Sequence, residues 1–185
     1  MTKLASAFGE KYQAQRKQLL TRTFELGGHI FKVKIPLVVE TQEIYQRIQN
    51  PSEQAIEAAY QEIAAPLLAF KDTPDGNVTY LENDIVVEGR SLREAAKNKI
   101  TTQMRITEFI KLLIPEDANA TLDDITYADI EAEFPFSVQM ALIEKIGEAI
   151  SPSYKETRGN WLARWKRKWN APWFSTGTHM KPLPG

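Results

Sequence analysis

One run of helical spacing constrains this chain more than any other. Between Ser91 and Ile114, the residues Leu92, Ala95, Ala96, Ile100, Met104, Ile106, Phe109, Ile110 and Leu113 recur at intervals that place them on one wide face of a helix. Ser91 followed by Glu94 has the spacing of a capping box, and Pro115 closes the run. This is the longest helical pattern in the sequence, and so broad an apolar face has to be covered by other elements.

The elements available to cover it are mixed. Residues Leu4 to Leu20 are charged and helix-prone, with Leu4, Phe8, Tyr12, Leu19 and Leu20 as a partial apolar face, which predicts a helix packed on one side. In TRTFELGGHIFKVKIPLVV, Gly27-Gly28 supplies the positive φ values of a two-residue turn, so Thr21 to Ile35 reads as a β-hairpin that ends near Pro36. Thr41 is placed to cap a helix carrying Ile44, Tyr45 and Ile48. Pro51 punctuates it, and Ser52 restarts a helix with Ile56, Ala59, Tyr60, Ile63 and Leu67 on one side, which Pro66 ends or kinks. DTPDGN marks a turn, and VTYLENDIVVEG reads as a second hairpin about Glu82-Asn83. Thr121 is positioned to start a short acidic helix. Beyond Phe134-Pro135, a last helix carries Val138, Leu142, Ile143, Ile146 and Ile150 and stops at Ser151-Pro152.

The expected fold is therefore mainly α with one or two small β-hairpins, an α+β class. Its compact helical body spans residues 1–157, with hairpins near 21–35 and 78–87, and a basic, Trp-rich C-terminal extension occupies 158–185. A length of 185 residues with 43% hydrophobic residues suffices for one such core. The chain has no cysteine, which excludes a disulfide framework and thiolate metal sites. No apolar stretch runs long enough before a charge to span a bilayer, and the N-terminus lacks a secretory pattern, so a soluble, intracellular product is expected.

Chemistry is sparse. Asp123, Asp124, Asp129, Glu131 and Glu133 lack the ligand pattern of an EF-hand and a histidine companion, and read as acids favouring helix starts and offering a negative surface to a basic partner. His29 falls at the hairpin turn and His179 in the tail, neither with a second ligand at metal spacing. There is no G-x-S-x-G and no P-loop. The expectation is no enzyme, no catalytic or metal residue and no cofactor.

The strongest local signal is NWLARWKRKWNAPW. All four tryptophans of the chain, Trp161, Trp165, Trp169 and Trp173, recur there at four-residue spacing, interleaved with Arg164, Lys166, Arg167 and Lys168. From Thr157 to Gly185 there are six basic residues and no acid, leaving 17 basic against 24 acidic residues, a net −7, for the remainder. On a helix, Trp161, Trp165 and Trp169 form one stripe, and Pro172 stops it short of Trp173. These eight residues are the candidate partner-binding set. They suit docking to a protein, since Trp and Arg are favoured interface anchors, or packing back on the acidic body. A nucleic-acid-binding or membrane-peripheral accessory protein acting through the same tail is the alternative.

A charged start, the hairpin FELGGHIFKVKIPL, a helical acidic middle and EAEFPFSVQMALIEKIGEAISPSYKETRGNW, together spanning roughly Thr21 to Asn160, resemble the tail assembly chaperones of long-tailed bacteriophages, proteins similar in role to the minor tail protein G of phage lambda. The resemblance implies a non-enzymatic assembly factor in the host cytoplasm that coats the tape measure protein, keeps it soluble and recruits tail tube subunits during polymerisation. It also implies that a longer frameshifted product is common, and self-association is a further partner expectation. No catalytic or ligand motif defines that family, so no functional residue is carried over by position. The WLARWKRKW extension has no place in the family pattern.

Overall fold

The computed structural model describes residues 3–71 and 76–151. In chain order these form α1 (Lys3–Leu19), β1 (Thr21–Leu26), β2 (His29–Lys34), α2 (Val38–Gln49), α3 (Glu53–Leu68), β3 (Val78–Tyr80), β4 (Ile85–Val87), β5 (Arg90–Ser91), α4 (Leu92–Ile110), β6 (Leu113–Ile114), α5 (Tyr127–Glu133) and α6 (Phe136–Ile150). The first compact unit of the chain runs from Met1 to Ile150. The body is α+β, mostly helical, with two small antiparallel sheets ordered β1-β2-β6 and β3-β4-β5.

The first hairpin forms where the glycine pair demands it. Gly27 (φ 62°) and Gly28 (φ 82°) make a type I′ turn, and the register runs from Leu26 opposite His29 to Thr21 opposite Lys34. That register puts Phe24 opposite Phe31, stacked with ring centroids 5.3 Å apart, on the side facing the core.

The long helix α4 carries two cores, one on each half. Toward its start, Leu92 and Ala96 join Ile56, Ala59, Tyr60 and Ala64 of α3 and Ile85 and Val87 of β4. The small side chains Ala59, Ala64 and Ala96 let α3 and α4 pack closely along each other. Toward its end, Ile106, Phe109 and Ile110 join Ile44 and Ile48 of α2, Val33 of β2, Ile130 of α5, and Leu142, Ile143 and Ile146 of α6. The apolar face is wide because each half is covered by different elements.

A polar staple closes the β3-β4-β5 sheet onto the helices. Asp84 Oδ1 accepts from the backbone N–H of Ile85 (2.8 Å) and Arg93 (3.0 Å), and its Oδ2 accepts from Ser91 Oγ (2.5 Å). Ser91 in turn caps α4 by accepting from Glu94 N–H at 3.0 Å. Arg93 donates to Glu57 of α3 at 2.7 Å and lies over the Tyr60 ring at 4.5 Å.

Four local expectations change. The apolar face of α1 is only partly covered by the other described residues: Tyr12 and Leu20 are half-buried, Phe8 and Leu19 are both more than 60% exposed, and the helix is kinked at Gly9, where φ is 75°. Helix α2 begins at Val38 rather than at a Thr41 cap, because Glu40 Oε2 accepts from Leu37 N–H (2.7 Å) while Thr41 Oγ1 turns back to Leu37 O. Helix α4 ends at Ile110, and Leu113–Ile114 pairs with β2 instead, since Lys34 N–H takes Leu112 O as its acceptor at 2.8 Å. Thr121 accepts from Asp123 N–H in a turn, and Thr126 caps α5. The second hairpin forms, with a further strand β5 added across a Glu88-Gly89 turn. Most of the DTPDGN turn lies outside the described residues.

Glu88 is the one described non-glycine residue with positive φ (51°), at the first position of that turn. Asparagine tolerates the left-handed region where glutamate is strained. Glu88→Asn should therefore raise stability by up to about 1 kcal/mol, part of the left-handed cost, read as a higher urea midpoint with an unchanged slope.

Three carboxylates are held below their ordinary range. For Glu40 the causes are the Lys34 ammonium at 2.6 Å and Leu37 N–H; for Glu57, Gln61 and then Arg93; for Asp129, the Thr126 hydroxyl and N–H. Their unfolded forms take up protons first, so stability is present above roughly pH 4.3 and is lost as pH falls through the lowered folded values. An acid titration followed by circular dichroism should show this loss, and Glu40→Gln combined with Asp129→Asn should flatten it.

Candidate protein-docking surface

The corner between α5 and α6 is built by Phe134-Pro135. Proline cannot continue α5, and Pro135 O accepts from both Val138 and Gln139 N–H to begin α6. Gln139, only 1% exposed, reaches back and donates from Nε2 to Phe134 O at 2.7 Å, which clamps the corner. Its Oε1 has no hydrogen-bond partner among the described residues. Burial pushes the nearby Tyr127 hydroxyl above its ordinary pKa, and the Glu131 charge pushes it the same way.

The corner holds α6 across the inner face of the first hairpin, and an apolar groove of about 310 Å³ opens between them. Leu26, Gly27 and Phe31 form its hairpin wall; Phe134, Ser137, Val138, Ala141 and Leu142 form the helix wall. His29 packs edge-on to Phe31 with centroids 4.5 Å apart, so it acts as part of the hairpin tip. Gly27, with φ 62°, is needed for the turn and leaves the hairpin end of the groove open.

The segment that supplies the helix wall is acidic over a long stretch. Between Leu112 and Glu144 the chain has eight acids and no lysine or arginine. Glu131 and Glu133 are exposed and lie just before the groove residue Phe134, whereas Glu25 and Lys32, also exposed, stand on the other face of the hairpin. On α6, Lys145 lies one turn beyond Ala141 and pairs with Glu148 at 3.7 Å. Among the acids of the sequence reading, Asp129 is a capping residue that accepts from Thr126 N–H (2.8 Å) and Thr126 Oγ (2.6 Å). No group of three or more acidic or histidine side chains among the described residues is arranged to hold a metal ion.

A second apolar surface lies at the start of α2, where Leu37, Val38 and Val39 are exposed, Val38 by 76%. The residues singled out in the sequence as a partner-binding set, Trp161, Arg164, Trp165, Lys166, Arg167, Lys168, Trp169 and Trp173, lie outside the described residues, as does His179. Sequence spacing named Leu26 and Phe31 as apolar members of the first hairpin and Val138 and Leu142 as apolar members of the last helix. It missed the groove, whose one local signal was the Phe134-Pro135 break between two helical patterns.

No described helix is long and apolar enough to cross a membrane. No family model, curated protein or solved structure matches this chain.

Proposed function

We propose that this protein is a non-enzymatic tail assembly chaperone of a long-tailed bacteriophage, acting in the host cytoplasm by binding the tape measure protein and helping to recruit tail tube subunits. The observation that carries the reading furthest is the apolar groove between the first hairpin and α6, set beside an acidic stretch without a basic residue. An amphipathic helix that would otherwise expose its apolar stripe fits such a groove, with its basic flanks toward Glu131 and Glu133. The basic Trp-rich segment, Trp161 to Trp173, is a second contact in this scheme, carrying the aromatic and arginine anchors common in interfaces.

The test is co-purification of the full chain from phage-producing cells at moderate and high salt, with bound protein and nucleic acid both quantified. A long helical tape measure protein or a tube protein should remain at high salt. Ala141→Glu, which puts a charge in the groove, should reduce recovery roughly tenfold or more. Nucleic acid or lipid as the sole bound material, released by salt, would overturn the chaperone reading in favour of the accessory-protein alternative.

A further inference from the structure

Helix α1 is poorly supported by the molecule it belongs to. Gly9 breaks it into residues 3–8 and 10–19, each too short to be stable as an isolated helix in water. Its substantial contact with the body is with β1, to which it is joined through Leu20 alone. Leu20 N–H bonds to Arg16 O at 3.1 Å and Thr21 Oγ1 to Lys17 O at 2.7 Å, which fixes the direction in which α1 leaves the sheet.

What α1 presents is complementary to the groove. Phe8 and Tyr12, four residues apart, hold their rings 5.0 Å from each other, with Phe8 61% exposed. Around them stand Lys3, Lys11, Arg16 and Lys17 against the single acid Glu10. Lys11 is not ion-paired to another described residue. The groove, by contrast, is apolar, with Glu131 and Glu133 just before its residue Phe134. It lies at the far end of the hairpin from α1, about 20 Å along β1.

We infer that the groove takes α1 of a second copy of this chain, Phe8 and Tyr12 entering between the hairpin and α6 while Lys11 faces Glu131 and Glu133. Reciprocal exchange makes two identical contacts about a two-fold axis, and each copy covers the ring of Phe8 that the other described residues of its own chain leave exposed. The proposed client helix takes the same groove, so α1 of the second copy occupies it in the client-free protein and is displaced when a client binds. The test of this inference uses no client protein, so its failure and that of the proposed function are read separately.

The experiment is sedimentation of the purified full chain over a wide concentration range. Wild type should be a dimer that dissociates on dilution. Phe8→Ala with Tyr12→Ala should weaken dimerisation at least about 30-fold, the effect of losing one interface anchor or more. These ring-contact side chains lie outside both buried cores, so thermal unfolding of the subunit should change little. Lys11→Glu should also weaken the dimer, and adding Glu131→Lys with Glu133→Lys should restore it. A monomer at every concentration overturns the inference. So does a dimer indifferent to the α1 changes, one lost only on deleting the Trp-rich segment, or charge variants that the reciprocal swap does not rescue.

Discussion

Ile106→Ala lowers the stability of the body by about 2–5 kcal/mol, the range for emptying a fully buried aliphatic site that neighbours cannot refill. Ile106 is 0% exposed and sits among Ile44, Ile48, Ile130 and Leu142, contributed by three other helices. A loss of this size is a large share of the stability of an ordinary domain. The change should appear as a lower urea midpoint with the slope unchanged. Because α4 also carries the second core, unfolding should remain a single transition in the variant. Tyr60 and Tyr80 report on the core at the other half of α4, so their near-ultraviolet signal should vanish together with far-ultraviolet helicity. Two separated transitions would show that the halves of α4 melt independently, contrary to its role as a common support.

Arg47→Ala costs about 2–3 kcal/mol, by a different mechanism. Glu108 lies on α4 with its side chain 11% exposed, and Arg47 of α2 donates to its Oε2 from both Nε (3.0 Å) and Nη2 (2.7 Å). Removing arginine leaves a carboxylate in a largely water-excluded place without its charged donors. Arg47 itself is about half exposed, so solvent screens the pair and keeps the cost below that of a wholly buried one. The double change Arg47→Met with Glu108→Leu should recover most of the loss, since apolar groups of similar length then replace both charges. Chemical denaturation of the two variants checks this. Equal stability of wild type and Arg47→Ala would mean that water already solvates Glu108.

The two results separate what holds the body together from what it presents. Apolar burial on α4 supplies the larger contribution, and the Arg47–Glu108 pair fixes how α2 crosses that helix. The groove beside α6 lies at the edge of the same core: Leu142 lines it and is also fully buried. A docked helix would therefore rest on a rigid wall, which reduces the ordering cost of association.

Local instructions were legible in the sequence. Gly27-Gly28 determined the first hairpin, because few residues tolerate two successive positive φ values. Ser52 and Ser91 marked the starts of α3 and α4 through hydrogen bonds only three residues long. Periodicity identified the apolar residues of α3, α4 and α6, since a 3.6-residue repeat is a property of the chain itself. Tertiary structure alone decided which neighbour meets each face. Leu113 continued the helical period, yet the unpaired edge of β2 took its segment into a sheet, because Lys34 N–H needed an acceptor from another part of the chain. Phe8 continued the period of its helix as well, and among the described residues no element came to cover it. The groove joins Leu26 and Phe31 to Phe134 and Ala141, residues about a hundred positions apart. Spacing within a segment records that a face is apolar, whereas the contact that covers it depends on where distant segments meet.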